Sequence, residues 1–216
     1  MTLRDVAELA SEWRLEIFGA FHPEPEDLAP EGTGSVVLLG PSEPGFWNRF
    51  ADSPEYRDGA QDPLDRWSRR AVSAIAESVA AEPLFPFGGP PYRPFQRWAI
   101  RSGRAWQSPV GMLVHDQAGL MVSYRGALAL EERLDLPDLP NRPCYSCPDR
   151  PCETACPANA LGTRGYDVPA CREFLDSPDG RECMTLGCIV RRICPVSRRH
   201  GRIPEQSAFH MRAFRG

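Results

Sequence analysis

The first stretch with a readable period is residues 2–14, where Leu3, Val6, Ala7, Ala10 and Trp13 recur at helical spacing behind Thr2 and Asp5. Residues 15–21 read as a strand. After an acidic, proline-rich loop (HPEPEDLAPEGTG), the apolar run over residues 35–40 predicts a buried central strand ended by Pro41. A short helix is expected over residues 46–51. A longer one opens at Asp62-Pro63, an acidic cap followed by proline in the first turn, with Leu64, Trp67, Ala71, Ile75 and Val79 as its apolar face. The segment LFPFGGPPYRPFQRWAIRSG predicts a strand-like start, a Gly-Pro break, and a helix over residues 94–102 with Gly103 as its C-cap. Residues 110–115 and 120–128 read as two strands of a hairpin joined by Asp116 to Gly119. Acid and proline over residues 131–143 (EERLDLPDLPNRP) predict a connection between two parts, and the final PEQSAFHMRAFRG a short amphipathic turn through Phe209, Met211 and Phe214. The pattern predicts an α+β protein divided into residues 1–136 and 137–216.

The second part contains all 8 cysteines of the chain. Their order is Cys144-x2-Cys147-x4-Cys152-x3-Cys156-Pro157, then Cys171, then Cys183-x4-Cys188-x5-Cys194-Pro195. Thiols gathered this way build a metal or cluster site or a disulfide framework. Two-cluster bacterial ferredoxins carry C-x2-C-x2-C-x3-C-P, in which the fourth cysteine crosses to the other cluster. The resemblance to that pattern implies two [4Fe-4S] clusters. Transferring its crossed pairing places Cys144, Cys147, Cys152 and Cys194 on one cluster, and Cys156, Cys171, Cys183 and Cys188 on the other. The longer gap between Cys147 and Cys152, and the lack of C-x2-C in the second run, leave a single cluster as an alternative. Zinc held by four thiolates and a disulfide framework are the other readings.

Length and hydrophobic content are ordinary for a globular protein: 216 residues, 42% hydrophobic. The N-terminal segment carries charges throughout, so it reads as neither secretory signal nor membrane span, and a cytoplasmic protein without a membrane partner is expected. A net charge of -4 argues against general nucleic-acid binding. The tail nevertheless concentrates Arg191, Arg192, Arg198, Arg199, Arg202, Arg212 and Arg215 against Glu205 alone. Guanidinium groups there serve to stabilise a reduced cluster, to dock a redox partner protein, or as a solvated face.

The succession SVVLLGPSEPGFWNRF, DGAQDPLDRWSRR and VGMLVHDQAGLMVSYRGAL resembles the cobalamin-processing CblC family, with His115, Gly119, Arg125 and Gly126 as the nearest points. Followed by CYSC, CETACP, DVPACREFL and LGC, the arrangement over residues 33–196 is similar to epoxyqueuosine reductase and, more distantly, to reductive dehalogenases. The resemblance implies a nitroreductase/CblC-like domain feeding on electrons from a ferredoxin-like cysteine-rich domain. It also implies an oxidoreductase with a corrinoid (cobalamin) acceptor and His115 and Arg125 as cofactor-binding candidates. The family's catalytic aspartate falls near FPFGGPPYRP, where this chain has no acid, so no catalytic residue is assigned. A non-enzymatic electron carrier without a corrinoid is the alternative.

Overall fold

The computed structural model describes residues 1–162 and 165–216. In chain order its elements begin α1 (Leu3–Glu12), β1 (Leu15–Phe21), β2 (Ser35–Pro41), α2 (Phe46–Ala51), α3 (Pro54–Arg57), α4 (Pro63–Ser78), β3 (Glu82–Leu84) and α5 (Phe95–Arg101). They continue β4 (Ala105–Gln107), β5 (Leu113–His115), β6 (Gly126–Leu130), β7 (Leu161–Gly162), β8 (Gly165–Tyr166), α6 (Val168–Asp176), α7 (Arg181–Leu186), α8 (Ile189–Ile193), α9 (Pro195–Arg199) and α10 (Pro204–Arg215). The chain forms two compact units, residues 1–104 with 123–140, and residues 105–122 with 141–216. This mixture of helix and strand is the expected α+β content. The boundary is not a single point in the chain, because the segment 105–122 leaves the first unit and folds with the cysteines.

The first unit is a four-stranded sheet in the order β1-β2-β6-β3, antiparallel at each pairing, with helices packed on it. Thr2 and Asp5 start α1 with a reciprocal capping box: the Asp5 amide donates to Thr2 Oγ1 at 3.3 Å and the Thr2 amide to the Asp5 carboxylate at 2.8 Å. All residues of β2 are buried, as its apolar run requires of a strand with neighbours on both edges. Gly40 on β2 is needed for packing, since a Cβ there would stand 2.1 Å from the Phe18 ring. Along α4 the side chains of Leu64, Trp67, Ala71 and Ile75 are buried, and Val79 is the half-buried C-cap. Asp62 occupies the N-cap position but with left-handed backbone (φ 50°) and no capping hydrogen bond from its side chain; Pro63 fixes the first turn instead. At the other end of the unit, Gly103 (φ +68°) follows α5 as expected.

The expected hairpin does not form. His115 and Gly119 exchange both backbone hydrogen bonds at 3.0 Å, closing the turn, but the ladder goes no further. β5 pairs with β4, which the pattern did not predict, and β6 pairs with β2 and β3. The reason lies in GALAL, residues 126–130, whose every side chain is buried; only a central place in a sheet covers both faces of such a strand.

In the second unit, regular structure is sparse and the core is built around sulfur. Val110, Val114, Leu120, Leu161, Val190 and Cys194 are buried together, with Cys144, Cys152, Cys156 and Cys188 packed against them. The segment 105–122 thus supplies the apolar wall that keeps water from one side of the thiols. The tail is a full helix, α10, rather than a short turn. Among the described residues no helix is long and apolar enough to cross a membrane.

Candidate metal centre

Three short proline-started turns present the first group of thiols. Cys144 lies in the 3-10 turn Pro143–Ser146, Cys147 directly after it, Cys152 in the 3-10 turn Pro151–Glu153, and Cys194 at the bend between α8 and α9, with Pro195 opening α9. Proline preorganises the first position of each turn and donates no amide there. The thiols of Cys144, Cys147, Cys152 and Cys194 line one cleft of about 210 Å³ with walls from Val114 and Leu120. That is room for a group several times the ~30 Å³ share of one water.

Burial pushes the Cys152 thiol up to about 11, and the neighbouring Cys144, Cys194 and Cys147 add to the rise. Cys144 is raised first by burial, with Arg142 opposing and Cys194 and Cys147 reinforcing. A second group forms around α6, α7 and α8. Burial raises Cys171, opposed by a hydrogen bond from Tyr166 and reinforced by Cys188 and Cys156. Cys183 is likewise raised by burial, opposed by the Ile189 amide, and reinforced by Cys188 and Cys171. None of the 8 cysteines is in a disulfide; Cys144, Cys147, Cys152 and Cys194 line the cleft together, while Cys171 and Cys183 lie on α6 and α7. Among the described residues, no three or more His, Cys, Asp or Glu side chains converge on a single ion position.

Several donors point at the sulfurs. The Ala160 amide donates to Cys156 Sγ at 3.3 Å and the Tyr166 hydroxyl to Cys171 Sγ at 3.3 Å. Arg142 reaches the Cys144 thiol, the carbonyl of Gln107, and the face of Tyr145 with its guanidinium 5.6 Å from the ring centre. Tyr166 is held in turn by Phe214 of α10, stacked on it at 5.8 Å. Such donors stabilise thiolate over thiol, which a bunched set of sulfurs needs. Sequence reasoning missed Tyr145, Arg142 and Tyr166. Tyr145 was signalled only by standing inside C-Y-S-C, and Tyr166 by preceding DVPAC.

His115 and Arg125 fall in different units. His115 is fully buried; its Nδ1 accepts from the amides of Gln117 (3.2 Å) and Ala118 (3.3 Å) and lies 3.1 Å from the Asp116 carboxylate. It thereby holds the turn that ends at Gly119. A Cβ on Gly119 would stand 2.5 Å from the Ser197 amide nitrogen, and the next amide, Leu120, donates to Ser197 Oγ at 2.8 Å. Arg125 is half-buried in the first unit. Desolvation pushes its guanidinium down to about 10, with Asp65 opposing, and its Nε has no hydrogen-bond partner among the described residues.

The basic tail divides into clamps and exposed charge. Arg191 donates to the Leu120 carbonyl and Arg202 to that of Met121 (3.1 Å), tying the wall segment to the cysteine helices. Arg192 pairs with Glu182, and Arg215 with Asp176. Arg198, Arg199 and Arg212 are exposed, and Arg199 lies on the rim of the cleft. His200, half-buried near Arg202 and His115, is pushed down to about 4, first by desolvation, so it is neutral near pH 7. No protein family, curated protein or solved structure matches this chain.

Proposed function

We propose that this chain is an iron–sulfur electron-transfer protein. In this reading Cys144, Cys147, Cys152 and Cys194 hold one [4Fe-4S] cluster and Cys156, Cys171, Cys183 and Cys188 a second. The observation that carries the reading is the cleft lined together by Cys144, Cys147, Cys152 and Cys194, cysteines brought from separate turns of the chain against an apolar wall. Thiolates gathered on one cleft repel one another, and the cationic iron–sulfur core they would bind offsets that cost. An inorganic cube spreads its four thiolate ligands over its corners. When bound, such clusters supply one-electron oxidation and reduction. The residues around them exclude water through Val114 and Leu120 and donate hydrogen bonds through Ala160 and Tyr166.

Anaerobically purified protein should carry about eight irons and as many acid-labile sulfides per chain. About four irons would leave one quartet empty, and zinc in place of iron would end the reading. A second reading, a corrinoid acceptor in the first unit, is favoured by Arg125, a half-buried cation whose Nε is unpaired among the described residues. Adding cob(II)alamin to the same sample tests it: a shifted visible band supports an oxidoreductase, and an unchanged spectrum leaves a carrier.

Tyr166→Phe is expected to lower the reduction potential of the cluster on Cys171 by a few tens of mV. One hydrogen bond to sulfur is lost, about 1 kcal/mol of preference between the two redox states. Redox titration followed by electron paramagnetic resonance checks it. Iron content should stay unchanged, and an unmoved potential would remove Tyr166 from the tuning set.

A further inference from the structure

The two quartets differ in their surroundings. Cys171 receives a hydrogen bond from Tyr166, itself stacked on Phe214, whereas Cys144, Cys147, Cys152 and Cys194 line an open cleft. The charged side chains lining that cleft are Arg150 and Arg199, with no carboxylate among the described lining residues. Arg198 is exposed next to Arg199. Asp149 and Glu153 are exposed on the same cysteine loop, and Glu153 pairs with Arg150 at 3.6 Å. Beside the cleft, Tyr145 is 82% exposed, although its neighbours in sequence, Cys144 and Ser146, both line it. The Arg142 guanidinium lies over the Tyr145 ring, 5.6 Å from its centre, and donates to the Gln107 carbonyl. A large exposed aromatic, held in place and rimmed by arginine, has the composition of a binding hot spot. In sequence it stands between Cys144 and Cys147, both of which line the cleft.

Resting on the iron–sulfur reading above, we infer that the face formed by Tyr145, Arg150 and Arg199 is the docking surface for a small acidic one-electron donor protein, which reduces the first quartet's cluster. The transfer is balanced: the donor loses one electron, this chain gains it, and no proton or bond changes hands. Charge supports an acidic partner and also its orientation. The chain as a whole carries -4, so an acidic protein is repelled except where arginine dominates locally. The rim thus selects both the partner's sign and the face it meets.

The test is stopped-flow reduction of the iron-loaded protein by a reduced acidic [2Fe-2S] ferredoxin across a salt series, beside reduction by the small cation of reduced methyl viologen. The ferredoxin rate should fall steeply with salt, and Arg150→Gln/Arg199→Gln should lower it about tenfold at low salt. Tyr145→Ala should raise the half-saturating ferredoxin concentration about tenfold. Viologen reduction should not slow in either variant, and unchanged iron and sulfide would show that both remain folded and loaded. Ferredoxin rates indifferent to salt and to both variants would overturn the inference while leaving the clusters intact. Retention of the protein by single-stranded RNA, lost in the arginine variant, would also overturn it by giving the face to a nucleic acid. A colourless protein without iron would fail earlier, taking the iron–sulfur reading with it.

Discussion

Trp67→Ala is expected to destabilise the sheet-bearing unit by about 3–5 kcal/mol, the usual cost of deleting a buried large aromatic. Trp67 is 1% exposed on α4 and meets three other rings: Phe46 at 5.3 Å, Phe50 at 6.1 Å and Trp13 at 6.3 Å, each edge-on. Each such pair adds about 0.5–1.5 kcal/mol beyond burial of area, so three pairs lost together place the variant at the upper end of the range. The cavity cannot collapse readily, because Phe46 and Phe50 are themselves buried and stacked at 6.4 Å. A loss of this size is a large fraction of the stability of any domain. Urea denaturation followed by far-ultraviolet circular dichroism measures it. Val79→Ala, at the half-buried end of the same helix, is the control and should cost far less. Equal effects at the two positions would mean that the ring cluster is not what anchors α4.

The contrast between Trp67 and Val79 also shows what was legible beforehand. Local signals that agree with tertiary demand read correctly: the Thr2 and Asp5 cap, the apolar run of β2, the apolar face of α4. The hairpin misled because its turn signal is real and is satisfied at His115 and Gly119, while the strand beyond it answers to a different partner. No local pattern reveals that β6 must be central; burial on both faces decides it. The final helix read as a short turn because it buries Gln206 and Ser207 along with Ala208, so its inner face looks polar. Close approach explains the choice of Ser207: a Cβ on Gly187 would stand 2.5 Å from the Ser207 Cβ, leaving room only for small partners. For the centre, cysteine spacing is what points to the proposed chemistry. The hydrogen bond from Tyr166 to Cys171 depends on three-dimensional placement, and the support of the Tyr145 ring by Arg142 does too.

Cys194→Ser and Cys156→Ser are expected to empty different clusters, each variant losing about half of the iron bound by the parent chain. Spacing alone would group Cys156 with Cys144, Cys147 and Cys152, its nearest neighbours in sequence. The fold groups them otherwise: Cys194 lines one cleft with Cys144, Cys147 and Cys152, and Cys156 is not among the described residues lining it. Serine keeps the side-chain size and removes the soft ligand, so the loss is one of coordination more than of packing. At Cys194 a packing cost is added, since the residue is 8% exposed among Val110, Val114 and Leu120 and a hydroxyl there needs a partner. Tyr166→Phe separates the two outcomes. Placed on Cys194→Ser, it should shift the potential of the cluster that remains, because that cluster sits on Cys171; placed on Cys156→Ser, it should leave the remaining potential unmoved. Redox titration of the two double variants reads the difference, and the reverse result would assign Cys156 to the first quartet and Cys194 to the second.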